Sequence, residues 1–243
     1  LYGNPDHTPN DSITGIVLRD GGVDGARNYV ESLGQGTRFS GVTSMKRWFL
    51  DRSDVIEIHS GNWDTSNVTD CSDFAYGCNN LTKLDVSNWD TSNVTTFGSF
   101  AYECNNLTKL DVSNWDTSNV TKFYRFARGC NSLTELDVSN WDTSNVTDFR
   151  YFSRDCPSLE NVIVTGGTGN PFADSPCTNY NLSFTNTNLN QQSIDDILVA
   201  IESAGTSDGT FDQSGGSAPS STGEAAIDSL RSRGWTVTVT GGY

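Results

Sequence analysis

The sequence predicts an α/β solenoid, a stack of near-identical coils with a parallel β-sheet on one face and short helices on the other. Three observations lead there. The heptapeptide WDTSNVT starts at Trp63, Trp89, Trp115 and Trp141, a constant period of 26 residues. Each copy switches its apolar spacing partway along, from a helical period to strict alternation. One such unit is too small to bury its own apolar face, so the copies must stack.

Residues 1–36 read as an N-terminal segment and cap, with a loosely held polar start over 1–12, a strand at Ile13–Leu18 and a helix around Val23–Leu33. Residues 37–166 read as five coils. The first is a weak copy, as a terminal unit should be: Met45 falls on Cys71, Trp48 on Phe74 and Ile58 on Leu84. In the clearest unit, Val120, Phe123, Phe126, Ala127 and Cys130 follow Thr117 and Ser118, which reads as a capped helix. Leu133, Leu136 and Val138 then read as a short strand. One helix and one strand per 26 residues lies within the leucine-rich-repeat range of about 20–29.

Stacking at ~4.8 Å per coil turns matching letters into rows. Phe97, Phe123 and Phe149 form one, Phe74, Phe100, Phe126 and Phe152 a second, and Leu81, Leu107, Leu133 and Leu159 a third. Each buried member is worth roughly 1.5–3 kcal/mol, so these rows supply most of the driving force. Asn67, Asn93, Asn119 and Asn145 are expected to bond neighbouring backbones in an internal ladder. Residues 167–243 read as two longer-helix coils and a closing strand. Asn181–Thr185 is a strand, and Ser193 caps a helix that turns Ile194, Ile197, Leu198 and Ile201 inward before Gly205. Thr210–Gln213 is a strand, a helix begins at Ser221, and Trp235–Thr240 alternates as the last strand, with Phe184, Phe211 and Val237 in one row.

Composition narrows the function. The 243 residues carry 30 Asp+Glu against 15 Lys+Arg, a net charge of -15 that repels phosphate backbones and anionic headgroups. Nucleic acid is therefore not an expected partner. No apolar run approaches the roughly 18 residues that would span a bilayer, so membrane insertion is not expected. With His7 and His59 the sole histidines, and no HExxH, Gly-x-Ser-x-Gly or phosphate loop, the sequence offers no hydrolytic or phosphoryl machinery. No enzyme activity, cofactor or metal site is expected.

The repeating polar residues each have a bland reading beside a functional one. Cys78, Cys104, Cys130 and Cys156 form a row of single thiols, which suits small buried hydrophobes better than a converging zinc site; Cys156 and Cys177 are the pair best placed for a disulfide. Asp64, Asp90, Asp116 and Asp142 recur in every coil, which marks a solvated acidic face, with calcium-assisted contact as the alternative. The Trp row reads as a half-buried spine or as a stacking platform for sugars. Thr65, Thr91, Thr117 and Thr143 form a regular row of the kind that orders water on ice-binding surfaces, although the Asp row interrupts it. The Asn-x-Thr triplets at Asn67, Asn80, Asn93 and Asn106 match glycosylation acceptors, but sugar would not fit at an internal ladder.

The strand face gives the binding expectation. If Leu84 and its equivalents point inward, Lys83, Asp85, Lys109, Asp111, Glu135 and Asp137 point outward as a polar stripe, the surface by which solenoids hold partners. Charge reversal at Asp85, Asp111 and Asp137 is then expected to weaken binding and leave thermal stability nearly unchanged.

The phrase LDVSNWDTSNVT with the following F-A-x-x-C-x-x-L run resembles the BspA-like leucine-rich repeats of bacterial surface proteins. More closely, it resembles a 26-residue repeat set of surface proteins of unknown function. That pattern usually has Met where this chain has Cys71, Phe97, Phe123 and Phe149. The end of the chain, from SIDDILVAIESAG to GWTVTV, resembles endings of phage tail and bacterial surface proteins. The resemblance implies an exported, non-enzymatic attachment protein, extracellular on a cell surface or virion, whose partner is a cell-surface protein or glycan. The alternatives are a phage tail protein or a structural subunit of a surface filament or layer, with homo-oligomer or larger assembly following from either.

Overall fold

The computed structural model describes residues 16–19, 29–32, 42–61, 63–169, 171–172 and 181–243, the first two segments as backbone alone. The described residues form an α/β arrangement with two helices and short, mostly parallel strands in three small sheets. The first sheet runs β1 (Ile16–Arg19), β2 (Tyr29–Ser32), β3 (Glu57–His59) and β4 (Lys83–Asp85) in that order, with β1 antiparallel to β2 and the other pairs parallel. β5 (Glu135–Asp137) and β6 (Asn161–Ile163) form the second. The third holds β7 (Asn181–Phe184), β8 (Thr210–Gln213) and β9 (Thr236–Thr238), with α1 (Gln191–Ser203) and α2 (Ser221–Ser232) between them.

The 26-residue period is the register of the structure. Glu57 lies opposite Lys83 and Glu135 opposite Asn161, and Leu84 bridges Leu110. A second parallel ladder of single bridges runs Ser44, Asp70, Thr96, Lys122, Asp148. The expected rows form between these ladders. Phe74, Phe100, Phe126 and Phe152 stack with ring centroids 5.3, 5.7 and 5.5 Å apart, and Phe97, Phe123 and Phe149 at 5.9 and 6.0 Å. Trp63, Trp89, Trp115 and Trp141 stack at 6.3, 6.3 and 6.4 Å. All of these rings are buried, as is the Leu81–Leu107–Leu133–Leu159 row.

The short helices expected in each copy are absent from residues 63–169, and turns stand in their place. In the copy containing Phe97, the amides of Phe97, Ser99, Ala101 and Glu103 donate to carbonyls of Lys122, Tyr124, Phe126 and Arg128 in the next copy. Those of Phe100, Tyr102 and Cys104 donate three residues back within the copy. Left-handed residues, Ser99 (φ 54°) and Glu103 (φ 57°), sit third in alternate turns, the geometry of a type II turn. Such turns point every third residue inward, as a helix does, so the apolar spacing is the same. The difference is that half of the amides bind the neighbouring copy, which a closed helix cannot offer. The next copy's equivalent of Glu103 is Gly129 (φ 78°), a residue at home in the left-handed region and unfavourable inside a helix.

Further differences follow at the ends. Residues 29–32 are a strand where a helix around Val23–Leu33 was expected; β3 offers that segment a parallel edge, and Tyr and Val suit it. Apart from β1 and β2, residues 1–41, including the start at 1–12, lie outside the described residues. Asn190, not Ser193, caps α1, its side chain accepting the Ser193 amide at 2.9 Å, and Ser220 caps α2. Ser193 Oγ instead accepts a hydrogen bond from the Val162 amide at 3.0 Å. Leu182, rather than Phe184, lies opposite Phe211, which in turn lies opposite Val237.

Candidate functional site

The strand face is built by one rule. Along each three-residue strand the middle side chain is buried and the flanking ones point out: Leu84 and Leu136 go inward, and Leu110 does the same without a full strand. Lys83, Lys109 and Glu135 are exposed; Asp85, Asp111 and Asp137 are half-buried. All six predicted residues therefore occupy the outer side of the ladder.

Their roles divide. Each Asp turns back to its own chain: Ser87 Oγ donates to Asp85 at 3.1 Å, Ser113 Oγ to Asp111 at 2.8 Å, and Ser139 Oγ and amide to Asp137 at 2.7 and 3.0 Å. These bonds close the turn after the strand, so the carboxylates are fixed structural acceptors as well as surface charges. Lys109 Nζ also reaches Asp111 at 3.2 Å. The Ser113 hydroxyl first, and Lys109 after it, hold the Asp111 carboxyl below its ordinary range. Charge reversal at the three aspartates would break these bonds, so it is not the stability-neutral change that the sequence alone suggested.

A recess of about 310 Å³ opens on this face between the copies 108–113 and 134–137. It lies where the ladder is interrupted: Leu110 bridges Leu84 on one side, β5 pairs with β6 on the other, and no strand pairing joins Leu110 to Leu136. Lys109, Asp111, Glu135 and Asp137 line it, while Lys83 and Asp85 stand one copy away. Thr108, Ser113 and Thr134 also line it. Sequence reasoning also places Ser113 on this face but passes over the two threonines; the signal was the Thr that precedes Lys or Glu in each LT-x-L phrase.

Other rows resolve toward structure. The tryptophans are a buried spine, not a sugar platform, and the indole N–H of Trp89, Trp115 and Trp141 donates to the carbonyls of Ser60, Val86 and Val112. Thr65, Thr91 and Thr117 are buried and donate to the carbonyls of Asp90, Asp116 and Asp142, so no flat water-ordering Thr surface exists at that row. The Asn ladder forms, but on the surface: Asn93, Asn119 and Asn145 are exposed and donate to Ser66, Ser92 and Ser118 carbonyls at 2.7 Å. A glycan on those nitrogens would replace one of two amide hydrogens at an exposed position rather than meet a wall.

Cys78, Cys104, Cys130 and Cys156 are buried free thiols donating to carbonyls of Phe49, Ala75, Ala101 and Ala127. Burial raises all four, Cys78 and Cys156 to about 12. Cys177, the other half of the suggested disulfide, lies outside the described residues. Among the described residues no group of three His, Cys, Asp or Glu side chains is arranged to hold a metal ion, and no helix is long and apolar enough to cross a membrane.

No curated protein and no solved structure matches the chain. A family model does match, over residues 43–166, the span of the bridged copies and a little over half of the chain. By that match, with its 26-residue register carried by the hydrogen bonds, the chain belongs to the family described as Mycoplasma protein of unknown function, DUF285.

Proposed function

We propose that the chain is a non-enzymatic recognition module of a cell or virion surface, a leucine-rich-repeat-like solenoid of the BspA type that binds a surface protein or glycan through its strand face. The observation that carries this reading is the recess between residues 108–113 and 134–137. It combines a cation, three carboxylates and several hydroxyls on the strand face, with Leu110 and Val112 also lining it. Polar groups fixed by their own backbones lose little entropy on binding, which favours a specific partner.

A glycan and cell-surface protein array, read with the full chain, tests the proposal. Lys109→Glu and Glu135→Lys are the informative variants, because both side chains are exposed and neither closes a turn. Binding should fall about tenfold or more in each, with the melting temperature unchanged in Glu135→Lys and slightly lowered in Lys109→Glu, which loses its contact with Asp111. A ligand retained equally by the parent and both variants would move the site off this face.

A further inference from the structure

A second charged feature lies on the turns rather than the strands. Four arginines, Arg125, Arg128, Arg150 and Arg154, fall together with Lys122 within two successive copies of a protein that has 15 basic residues and a net charge of -15. They interleave with tyrosines. The Arg125 guanidinium lies 4.6 Å from the Tyr124 ring centroid, 5.7 Å from Tyr102 and 5.8 Å from Tyr151. Arg128 lies 5.7 and 5.4 Å from Tyr102 and Tyr151, and Arg150 5.2 Å from Tyr124.

The acidic groups nearby are already committed. Asp148 pairs with Arg150 at 2.7 Å, and Asp155 is shared by Arg128 at 3.2 Å and Arg154 at 3.5 Å. Glu103 is hydrogen-bonded to the Tyr102 phenol. Arg125 alone of the four makes no ion pair, and its Nε is buried without a hydrogen-bond partner. The rings cover that Nε, so an incoming anion meets the two terminal amino groups of the guanidinium, which make no hydrogen bond among the described residues and are held in place by three rings. Packing against the rings already fixes it, which removes part of the entropy cost of binding.

We infer that this Arg–Tyr cluster is a docking surface for a carboxylate-rich segment of a protein partner, with Arg125 as its anchor. The forked guanidinium matches a carboxylate in two parallel hydrogen bonds. Rigid tyrosines supply contact area with a polar tip, and Tyr and Arg are the side chains enriched where proteins meet. The cluster also uses Arg in place of Lys, which is the interface preference. It is separate from the strand-face recess and stands or falls independently of it.

The test uses the full chain and a fluorescent hexaglutamate peptide, read by anisotropy at ~50 mM and ~500 mM salt. The parent should bind at low salt and release at high salt. Arg125→Gln should weaken binding about tenfold or more, and Arg125→Lys should recover only part of it, since a point charge lacks the fork. Arg231→Gln, remote on α2, is the charge-matched control and should bind like the parent. Each variant is checked by thermal melting, and Arg150→Gln serves in place of Arg125→Gln should the latter unfold, its side chain being 54% exposed. Equal binding by the parent and Arg125→Gln overturns the inference. Dextran sulfate bound at Arg125 while hexaglutamate is not would also overturn it, in favour of a sulfated glycan.

Discussion

Truncation of Phe126 measures how much of the stability resides in the aromatic rows. Its ring is fully buried, stacked 5.7 Å from Phe100 and 5.5 Å from Phe152, with edge contacts to Phe123 at 5.5 Å, Trp141 at 5.6 Å and Trp115 at 6.0 Å. Phe126→Ala therefore opens a cavity bordered by rings held rigid by their own rows. A buried Phe→Ala change costs about 3–5 kcal/mol, and little collapse is available here, so the upper half of that range is expected. At about 2–4 °C per kcal/mol for a chain of this size, the midpoint should fall by about 8–20 °C. Phe126→Leu keeps most of the volume and should cost less than about 1.5 kcal/mol. Calorimetry alongside far-ultraviolet circular dichroism is the right assay, because repeat arrays need not melt in one step. A Phe126→Ala midpoint within about 2 °C of the parent would refute the claim that these rows drive folding.

The buried thiols make two linked predictions. Cys71, Cys78, Cys104, Cys130 and Cys156 should stay unlabelled by iodoacetamide at pH 8 in the folded chain and react once it is denatured; native labelling of Cys104, read by mass spectrometry, would contradict its burial. Because their folded pKa values are raised above the free value of 9.0, the unfolded chain ionises first, so stability is intact below pH 9 and declines as pH climbs toward about 12. An alkaline melt as stable at pH 11 as at pH 8 would oppose this. At the acid end, the Asp111 carboxyl is held low by Ser113 and Lys109, and Asp54 by Arg52. Their stabilisation is present above the usual carboxylate pKa and lost as pH falls through the lowered value. Asp111→Asn should therefore flatten the acid limb of a urea-midpoint profile between about pH 5 and pH 2, and an unchanged limb would rule the bond out as a contributor.

Legibility followed physical scale. Phe74, Phe100, Phe126 and Phe152 were readable as one row because a 26-residue register leaves identical residues nowhere else to go. The outward placement of Lys83, Asp85, Lys109, Asp111, Glu135 and Asp137 followed from the alternation around Leu84, Leu110 and Leu136. The turns that replace the expected helices were not readable. A run such as Val120, Phe123, Phe126, Ala127 and Cys130 satisfies a helix and a chain of three-residue turns equally well. The Arg125 cluster was equally hidden, since its tyrosines come from three successive copies.

The sequence by itself determined the period, the inward direction of the repeated apolar side chains and the parallel order of the copies, because repetition with one apolar face admits few other arrangements. Tertiary structure decided where the backbone amides go. Once a neighbouring copy presents carbonyls at the right height, the amides of Phe97, Ser99, Ala101 and Glu103 bind it instead of closing a helix. It also decided where the strand ladder breaks. The 108–113 and 134–137 segments differ at few positions, yet their separation opens the recess. Hydrogen bonds between copies depend on geometry that builds up along the stack, and no single repeat encodes it.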